Sequence, residues 1–351
     1  MAQKTARRGG AGVTIHDVAR HAGVSPMTVS RVVNGEKNVR QDTRARVEAS
    51  IEALRYVPNL AARSLASAES LRIALIYSNP SAAYLSEFLV GSLEQCRLSG
   101  CQLLIEKCDG PEGERDAIAK LLAAGADGVI LPPPLCDSEA ALKAVEEAGA
   151  IAVLVATGQP RKGLSSVSID DFGAARTMTD RLIALGHRDI AFITGHPNQT
   201  ASGQREAGFR AAMRKAGLSV ADDRVAQGYF TYKSGLEAAD LLLGRATHPT
   251  AVFASNDDMA AAAVSVAHRR GLEVPGDLTV VGFDDTAMAT TAWPELTTVR
   301  QPIADMARAA VTLLLEHIRG RRSGDEPDPS RKVLNFTLVE RESAAAPHPA
   351  G

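Results

Sequence analysis

The most legible chemistry in this chain sits on residues 14–34, TIHDVARHAGVSPMTVSRVVN. Its second half puts Val29, Val32 and Val33 on one helical face and Pro26, Met27, Ser30 and Arg31 on the other. Arginine presents a fork of donors that suits the acceptors of guanine. Proline and methionine offer only apolar contact, for example to a thymine methyl, so hydrogen-bonded readout falls mainly on the arginine. Such side chains on a short outward face suit the reading of DNA in the major groove.

A second set follows short apolar runs: Ser78 and Asn79 after RIALIY, Asn256 and Asp257 after AVFAS, Asp284 and Asp285 after TVVGF. These are uncharged or acidic groups able to bond hydroxyls, and ligands of open α/β sheets bind beyond the carboxyl ends of the strands. Strand-end Asn and Asp also cap helices, so each of them alone reads first as a cap.

The elements that must hold the first set follow from local rules. Thr14 with Asp17 three places on is a capping-box variant, Ile15, Val18, Ala19 and Ala22 share one face, and Gly23 stops the helix. Ser25 is a good N-cap, and Pro26 stands where a missing N–H costs nothing. Two short helices joined by a Gly-containing turn are a helix-turn-helix, whose second helix enters the groove. Val47, Ile51 and Leu54 predict a third helix closing a small core, with Arg40 where a capping residue usually stands, so the helix starts at Gln41 or Asp42. Pro58 ends that stretch, and residues 59–66 make a helix of only about two turns, too short to be stable alone. It is expected to form when DNA and a second copy support it.

From residue 71 the pattern changes to short apolar runs alternating with longer amphipathic ones: RIALIY, YLSEFLVGSLEQCRLSG, CQLLIEK, ERDAIAKLLAAG, ADGVILPP, EAALKAVEEAG, AIAVLVA. The rhythm repeats through SVSID, DFGAARTMTDRLIALG, DIAFITG, ASGQREAGFRAAMRKAG, TYKSGLEAADLLLG, TAVFASN, DDMAAAAVSVAHRRG and LTVVGFDD. Alternating strands and helices predict βαβ units with parallel sheets, here in two similar halves with a cleft between them.

Composition narrows the function. Residues 1–70 hold 11 Lys and Arg against 6 Asp and Glu, a charge of +5, which leaves 28 against 35, or −7, for the rest. Positive charge beside the helix-turn-helix is what phosphate binding requires. The four cysteines, Cys96, Cys101, Cys108 and Cys136, lack zinc-site spacing and are expected to be reduced core residues, with no metal and no cofactor. The N-terminus has no apolar run after its charges, and no 18-residue apolar stretch exists. A cytoplasmic, nucleoid-associated protein without a membrane partner is expected.

TIHDVARHAGVSPMTVSRVVNG with RYVPNLAARSLAS closely resembles the headpiece and hinge of the lactose repressor/galactose repressor family of bacterial transcription regulators. The resemblance continues through ALGHRDIAFITG, SGQREAGF, SNDDMA and VVGFDD, covering about residues 13–342. It implies an α/β protein with an N-terminal all-α helix-turn-helix headpiece and a hinge helix. Two Rossmann-like, periplasmic-binding-protein-like α/β subdomains follow, around an effector cleft. The implied divisions are a disordered basic arm over 1–12, the headpiece over 13–58, the hinge over 59–70, the body over 71–342 and a disordered tail over 343–351. Within the body, one subdomain takes about 71–168 and 301–329, and the other 169–300 and 330–342.

The resemblance also implies function: a homodimer that binds a near-palindromic operator, as a repressor, under the control of a small effector. Pro26, Met27 and Arg31 match the positions that read bases. Thr28, Asn34 and Asn38 match positions near phosphates and neighbouring bases, with Thr14, Ser25 and Ser30 on the same DNA-facing surface. Ala62 and Leu65 match the pair that enters the minor groove as an apolar wedge. Arg205 aligns with an arginine that grips effector hydroxyls, Asn256 and Asp284 with polar contacts, and Tyr84 and Phe230 with aromatic ones. Ser78 and Gln301 complete the candidate cleft.

Two departures matter. Ala156 stands where several sugar-binding relatives carry an acidic or polar residue, which leaves the effector's identity open; Tyr84, Phe230 and Arg205 favour a sugar or glycoside, with a nucleobase or another metabolite acting as co-repressor as the alternative. The tail SAAAPHPAG carries no leucine heptads, so a dimer is expected rather than a tetramer. An enzyme is disfavoured because GxGxxG after a strand, GxxxxGK[ST], HExxH and GxSxG are all missing, and His187 and His196 read as structural. A periplasmic sugar-binding module gives no reason for residues 14–66, and an architectural DNA protein gives none for a large acidic two-lobed body.

Overall fold

Caps and turn residues set the first unit. The computed structural model describes residues 13–33, 39–56, 71–245, 247–325 and 327–348, and the chain divides into two units, 1–70 and 71–351. Helix α1 (Ile15–Ala22) begins where Asp17 Oδ2 accepts the Thr14 N–H at 3.0 Å and its hydroxyl at 2.7 Å. It ends at Gly23, whose φ of +67° suits a residue without Cβ, and the Val24 N–H turns back to the Ala19 carbonyl at 3.0 Å. Helix α2 (Pro26–Val33) starts behind Ser25, whose Oγ accepts the Thr28 N–H at 3.2 Å. Helix α3 (Gln41–Ala53) follows Arg40, which supplies no side-chain cap. Val18, Ala19, Ala22, Val29, Val32 and Val47 form the core, and a His21 Nδ1 to Ser50 Oγ contact of 3.0 Å ties α1 to α3. Asn34, Asn38, Ala62 and Leu65, the arm over 1–12 and the hinge over 59–70 lie outside the described residues.

The second unit holds two six-stranded sheets. Its strands are β1 (Arg72–Tyr77), β2 (Gln102–Lys107), β3 (Gly128–Leu131), β4 (Ile151–Val155), β5 (Ser165–Ile169), β6 (Ile190–Thr194), β7 (Val225–Gln227), β8 (Ala251–Ala254), β9 (Thr279–Asp284), β10 (Thr297–Arg300), β11 (Arg331–Leu334) and β12 (Thr337–Val339). The first sheet runs β11-β5-β4-β3-β1-β2, all parallel. The second runs β12-β10-β9-β8-β6-β7, parallel except for the β10–β12 pair.

Helices α4 (Ala82–Ser99), α5 (Gly110–Ala123) and α6 (Glu139–Glu147) belong to the first lobe. So does the long α12 (Ile303–Ser323), while α7 (Asp171–Ala184), α8 (Thr200–Lys215), α9 (Tyr232–Leu243), α10 (Asp257–Arg269) and α11 (Ala287–Thr291) belong to the second. Strand β1 explains the continuous apolar runs. Ile73 and Leu75 pack with Phe88, Met306 and Leu314 from α4 and α12, while Ala74 and Ile76 pack with Ile118 and Leu121 from α5. A strand covered on both faces has no polar side to alternate with. Among the described residues no helix is long and apolar enough to cross a membrane.

The structure corrects two expectations. Strand β11 pairs with β5 in the first sheet, so the last crossing between lobes falls between Leu334 and Thr337 and not near 329–330. Residues 343–346 are not a loose tail. The buried Ser343 hydroxyl donates to the Val280 carbonyl at 2.5 Å and accepts the Thr297 N–H at 2.9 Å, and the Ala345 N–H reaches Thr279 Oγ1 at 3.0 Å. Strands β7, β10, β11 and β12 do not stand out in the rhythm, because their three or four residues (VAQ, TTVR, RKVL, TLV) include polar ones, unlike the equally short but wholly apolar β3 and β8.

Candidate functional site

The lobes face each other across a narrow cleft, and six expected residues, Tyr84, Arg205, Phe230, Asn256, Asp284 and Gln301, line it. Ala156 and Asn79, the second of the two polar residues after RIALIY, line it too, with Ser81 and Gln199, which the sequence did not single out. Ser78 does not. Successive residues of an extended chain face opposite ways, and it is Asn79 that turns inward, accepting the Ser81 N–H at 2.8 Å and donating to the Pro133 carbonyl at 3.2 Å.

Arg205 is the centre of this cluster. It comes from the first turns of α8, and only 5% of it is exposed. Its Nε donates to Asp171 Oδ1 at 2.8 Å, its Nη1 donates to the Ser255 carbonyl at 2.6 Å, and Asp284 Oδ1 lies 3.6 Å from Nη1. The guanidinium lies flat on Phe283, 3.6 Å from the ring centroid, with Phe230 at 5.9 Å. None of its hydrogen bonds uses Nη2, which keeps donors for a ligand.

Burial shifts the acids around it. Asp284 is pushed up to about 7 by desolvation, against the pull of Arg205 and a 2.6 Å bond from Gln301 Nε2. Asp171 is raised for the same reason despite its ion pair. One arginine among several buried carboxyls leaves the cleft without surplus positive charge.

Two polar atoms here, Tyr84 Oη and Gln301 Oε1, are buried without a hydrogen-bond partner. Burial and the neighbouring Asp284 hold the Tyr84 phenol far above its ordinary pKa, so it stays an O–H donor, while Gln301 Oε1 is an acceptor. An unsatisfied buried polar atom costs roughly 1–3 kcal/mol, which a ligand supplying the missing partner recovers. Backbone strain gathers at the same place. Ala156, Phe230 and Asp284 have φ of 56°, 60° and 110°, in the left-handed region that non-glycine residues avoid. Phe230 fits only because position 195 is glycine, where a Cβ would fall 2.0 Å from the ring.

The other strand-end groups are structural. Asn256 lines the cleft yet is fully occupied as the cap of α10, accepting the Met259 N–H at 3.0 Å and donating to the Phe230 carbonyl at 3.1 Å. Asp257 accepts from Thr298 Oγ1 at 2.6 Å and the Thr286 N–H at 2.8 Å, and Asp285 pairs with Arg300 and Arg341. His187 bridges Thr250 Oγ1 at 3.0 Å and the Ala345 carbonyl at 2.9 Å, a structural part.

Direct contacts between the lobes were not anticipated from the sequence. Asp137, in a 3-10 turn (Leu135–Asp137) after β3, reaches the second lobe and accepts the Thr200 N–H at 2.8 Å, the Thr200 hydroxyl at 2.9 Å and the Thr157 hydroxyl at 2.7 Å. Helix α8 has no side-chain cap of its own from Gln199, so its N-terminus is capped across the cleft. The Gly158 N–H donates to Thr200 Oγ1 at 2.7 Å, and a Cβ on Gly158 would fall 2.8 Å from the Thr200 backbone. Elsewhere in the cleft Ser81 Oγ donates to Asp258 Oδ2 at 2.7 Å.

The candidate DNA face lies on the first unit. Thr14, Ser25, Met27 and Arg31 are exposed, with Met27 at 64% despite its apolar side chain, and Pro26, Thr28 and Ser30 are half-buried. The Ser25 and Thr28 hydroxyls lie 2.9 Å apart and stiffen the start of α2.

Comparison with known proteins agrees with both units. A family model for bacterial regulatory proteins of the lacI family matches residues 14–59, and one for a periplasmic binding protein-like domain matches 179–344. Catabolite control protein A of Priestia megaterium is 35% identical over 308 residues, 87% of this chain and 92% of that protein. A transcriptional regulator CelR-cellobiose complex superposes with a TM-score of 0.73 at 34% identity, over 95% of this chain and 100% of that one. A lac repressor dimer bound to operator and the anti-inducer ONPF gives 0.74 at 29% identity, over 96% and 100%. With likeness of this extent running through both the helix-turn-helix and the two-sheet body, the chain belongs to the LacI family of DNA-binding transcriptional regulators.

Proposed function

We propose that the chain represses transcription as a homodimer on a near-palindromic operator, and that a neutral, polyhydroxylated effector, a sugar or glycoside, switches it from the cleft. The carrying observation is the pair of buried, partnerless atoms on Tyr84 and Gln301 beside Arg205. One is a donor and the other an acceptor, a demand that hydroxyl groups meet in both directions. Phe230 offers a ring for the C–H face of a sugar, and the acids around Arg205 disfavour a phosphorylated or carboxylated ligand. The CelR complex with cellobiose and the lac repressor dimer on its operator are similar assemblies that support the reading.

Arg31 reads guanine, Pro26 and Met27 contact apolar base edges, and Thr14, Ser25, Thr28 and Ser30 hold the phosphate backbone. Asn34, Asn38, Ala62 and Leu65, outside the described residues, are assigned further DNA contacts by the family resemblance alone. The site of action is the nucleoid in the cytoplasm. Occupation of the cleft favours the arrangement in which Asp137 caps α8, and operator and effector are thereby linked reciprocally through the dimer. A thermal-shift screen of neutral sugars, sugar phosphates and nucleobases, followed by operator titration with each hit, tests the reading. Neutral sugars should raise the melting temperature and change operator affinity. Stabilisation by sugar phosphates or nucleobases alone overturns the carbohydrate assignment.

A further inference from the structure

Cys96 and Cys101 occupy the two ends of one helix-terminating turn. Helix α4 stops at Gly100, whose φ is +69°, and the Cys101 N–H reaches back to the Cys96 carbonyl at 3.1 Å. This backbone pattern brings together the side chains on either side of the turn, a position ordinarily filled by a hydrophobic pair. Here it holds two cysteines, with the Cys101 Sγ 3.7 Å from the Cys96 carbonyl. A disulfide needs Cα atoms roughly 4.4–6.8 Å apart. A backbone N–H···O=C bond between the same two residues keeps them in that neighbourhood.

Exposure and charge divide the pair into two roles. Cys96 is buried and Cys101 partly exposed. The Cys101 thiol is held below its ordinary value by the hydrogen bond from Cys96, with the Arg319 guanidinium acting the same way, and Cys96 is correspondingly raised. A more acidic, accessible thiol beside a second, buried one is the arrangement of an attacking and a resolving cysteine. The other two cysteines differ. Cys108 is buried and pushed up to about 11 by desolvation, and Cys136 is fully buried and raised further.

We propose that Cys96 and Cys101 form a site of reversible oxidation by hydroperoxides, closing a disulfide within the turn that joins α4 to β2. The Cys101 thiolate attacks one peroxide oxygen and the O–O bond breaks. The departing hydroxide takes up a proton as water, leaving a sulfenic acid on Cys101. The Cys96 sulfur then attacks the Cys101 sulfur, the S–S bond forms and the S–O bond breaks. The second hydroxide leaves with the Cys96 proton as water. Two thiols lose two electrons, and one hydrogen peroxide becomes two waters.

Arg97 lies between the two cysteines, so trypsin separates them and only a disulfide keeps residues 73–97 and 98–107 together. The full chain, reduced and then exposed to a modest excess of hydrogen peroxide, should lose about 2 Da as an intact monomer. It should yield that linked peptide pair, and dithiothreitol should reverse both changes. Cys96→Ser should abolish the link and leave a sulfenic acid at Cys101 that dimedone captures, and Cys101→Ser should abolish both products. Retention of all four thiols, a link involving Cys108 or Cys136, or a disulfide between two chains would each overturn the proposal.

Discussion

Arg205, proposed to hold the effector, is also a structural side chain. Its Nε and Nη1 are committed to Asp171 and Ser255, and Phe283 supports its face. Removing one partner from a buried ion pair costs about 3–5 kcal/mol. Arg205→Ala is therefore expected to lower the melting temperature and abolish the effector response together. Arg205→Lys keeps the charge but loses the fork, and should lose the response with a smaller fall in melting temperature. Asp284 gives a pH signature. Its folded pKa is raised above the unfolded value, so its contribution to stability is fully present below the unfolded pKa near 3.8 and is lost as pH rises through about 7. Asp171 and Asp257 act in the same direction. Thermal unfolding should show stability falling by roughly 2 kcal/mol between pH 5 and pH 8, and Asp284→Asn should flatten most of that slope. On the DNA side, Arg31→Ala should weaken operator binding by about 1–3 kcal/mol while changing affinity for random duplex far less. An equal loss on both, measured at one salt concentration, would make Arg31 a phosphate contact.

At the scale of elements, what the sequence discloses is what is local. Asp17, Gly23, Ser25 and Pro26 act on neighbours within five residues, and they place α1 and α2 as the residue types predict. Cleft residues at strand ends are legible because each strand ends in a polar group after a continuous apolar run. The bonds between lobes are not legible. Thr200 meets Asp137 across 63 positions and Ser81 meets Asp258 across 177, and no spacing rule links such pairs. The positive φ of Ala156 and Phe230 is hidden as well, since neither residue type favours that region of backbone space. Gly158 tests the importance of the close approach. Gly158→Ala places a Cβ against Thr200, and overpacking of this kind costs about 1–3 kcal/mol. Effector affinity should fall tenfold or more by calorimetric titration, with the headpiece still binding operator. Unchanged effector affinity would mean that the lobes do not need this contact to hold the ligand.

At the scale of the whole molecule, a basic reader of +5 is joined to an acidic two-lobed body of −7. The division of charge keeps phosphate attraction on the headpiece, and on the proposed reading it leaves the body to recognise a ligand by hydroxyl chemistry. The two-sheet architecture and its parallel pairing follow from the alternating runs, whereas β10, β11 and β12 flank the second and third crossings between lobes and leave no such signal. A complete switch of such a two-state protein from 1:99 to 99:1 requires about 5.5 kcal/mol of differential effector binding. Several hydrogen bonds to buried groups in each of two subunits are of that order. The most direct test is fluorescence anisotropy of the purified full chain on its own promoter-proximal palindrome and on a shuffled duplex, with and without the neutral sugar that stabilises the cleft. The account predicts a large preference for the palindrome and a shift of tenfold or more in its affinity on adding the sugar. Equal binding to both duplexes, or an operator affinity indifferent to a sugar that demonstrably occupies the cleft, would contradict it.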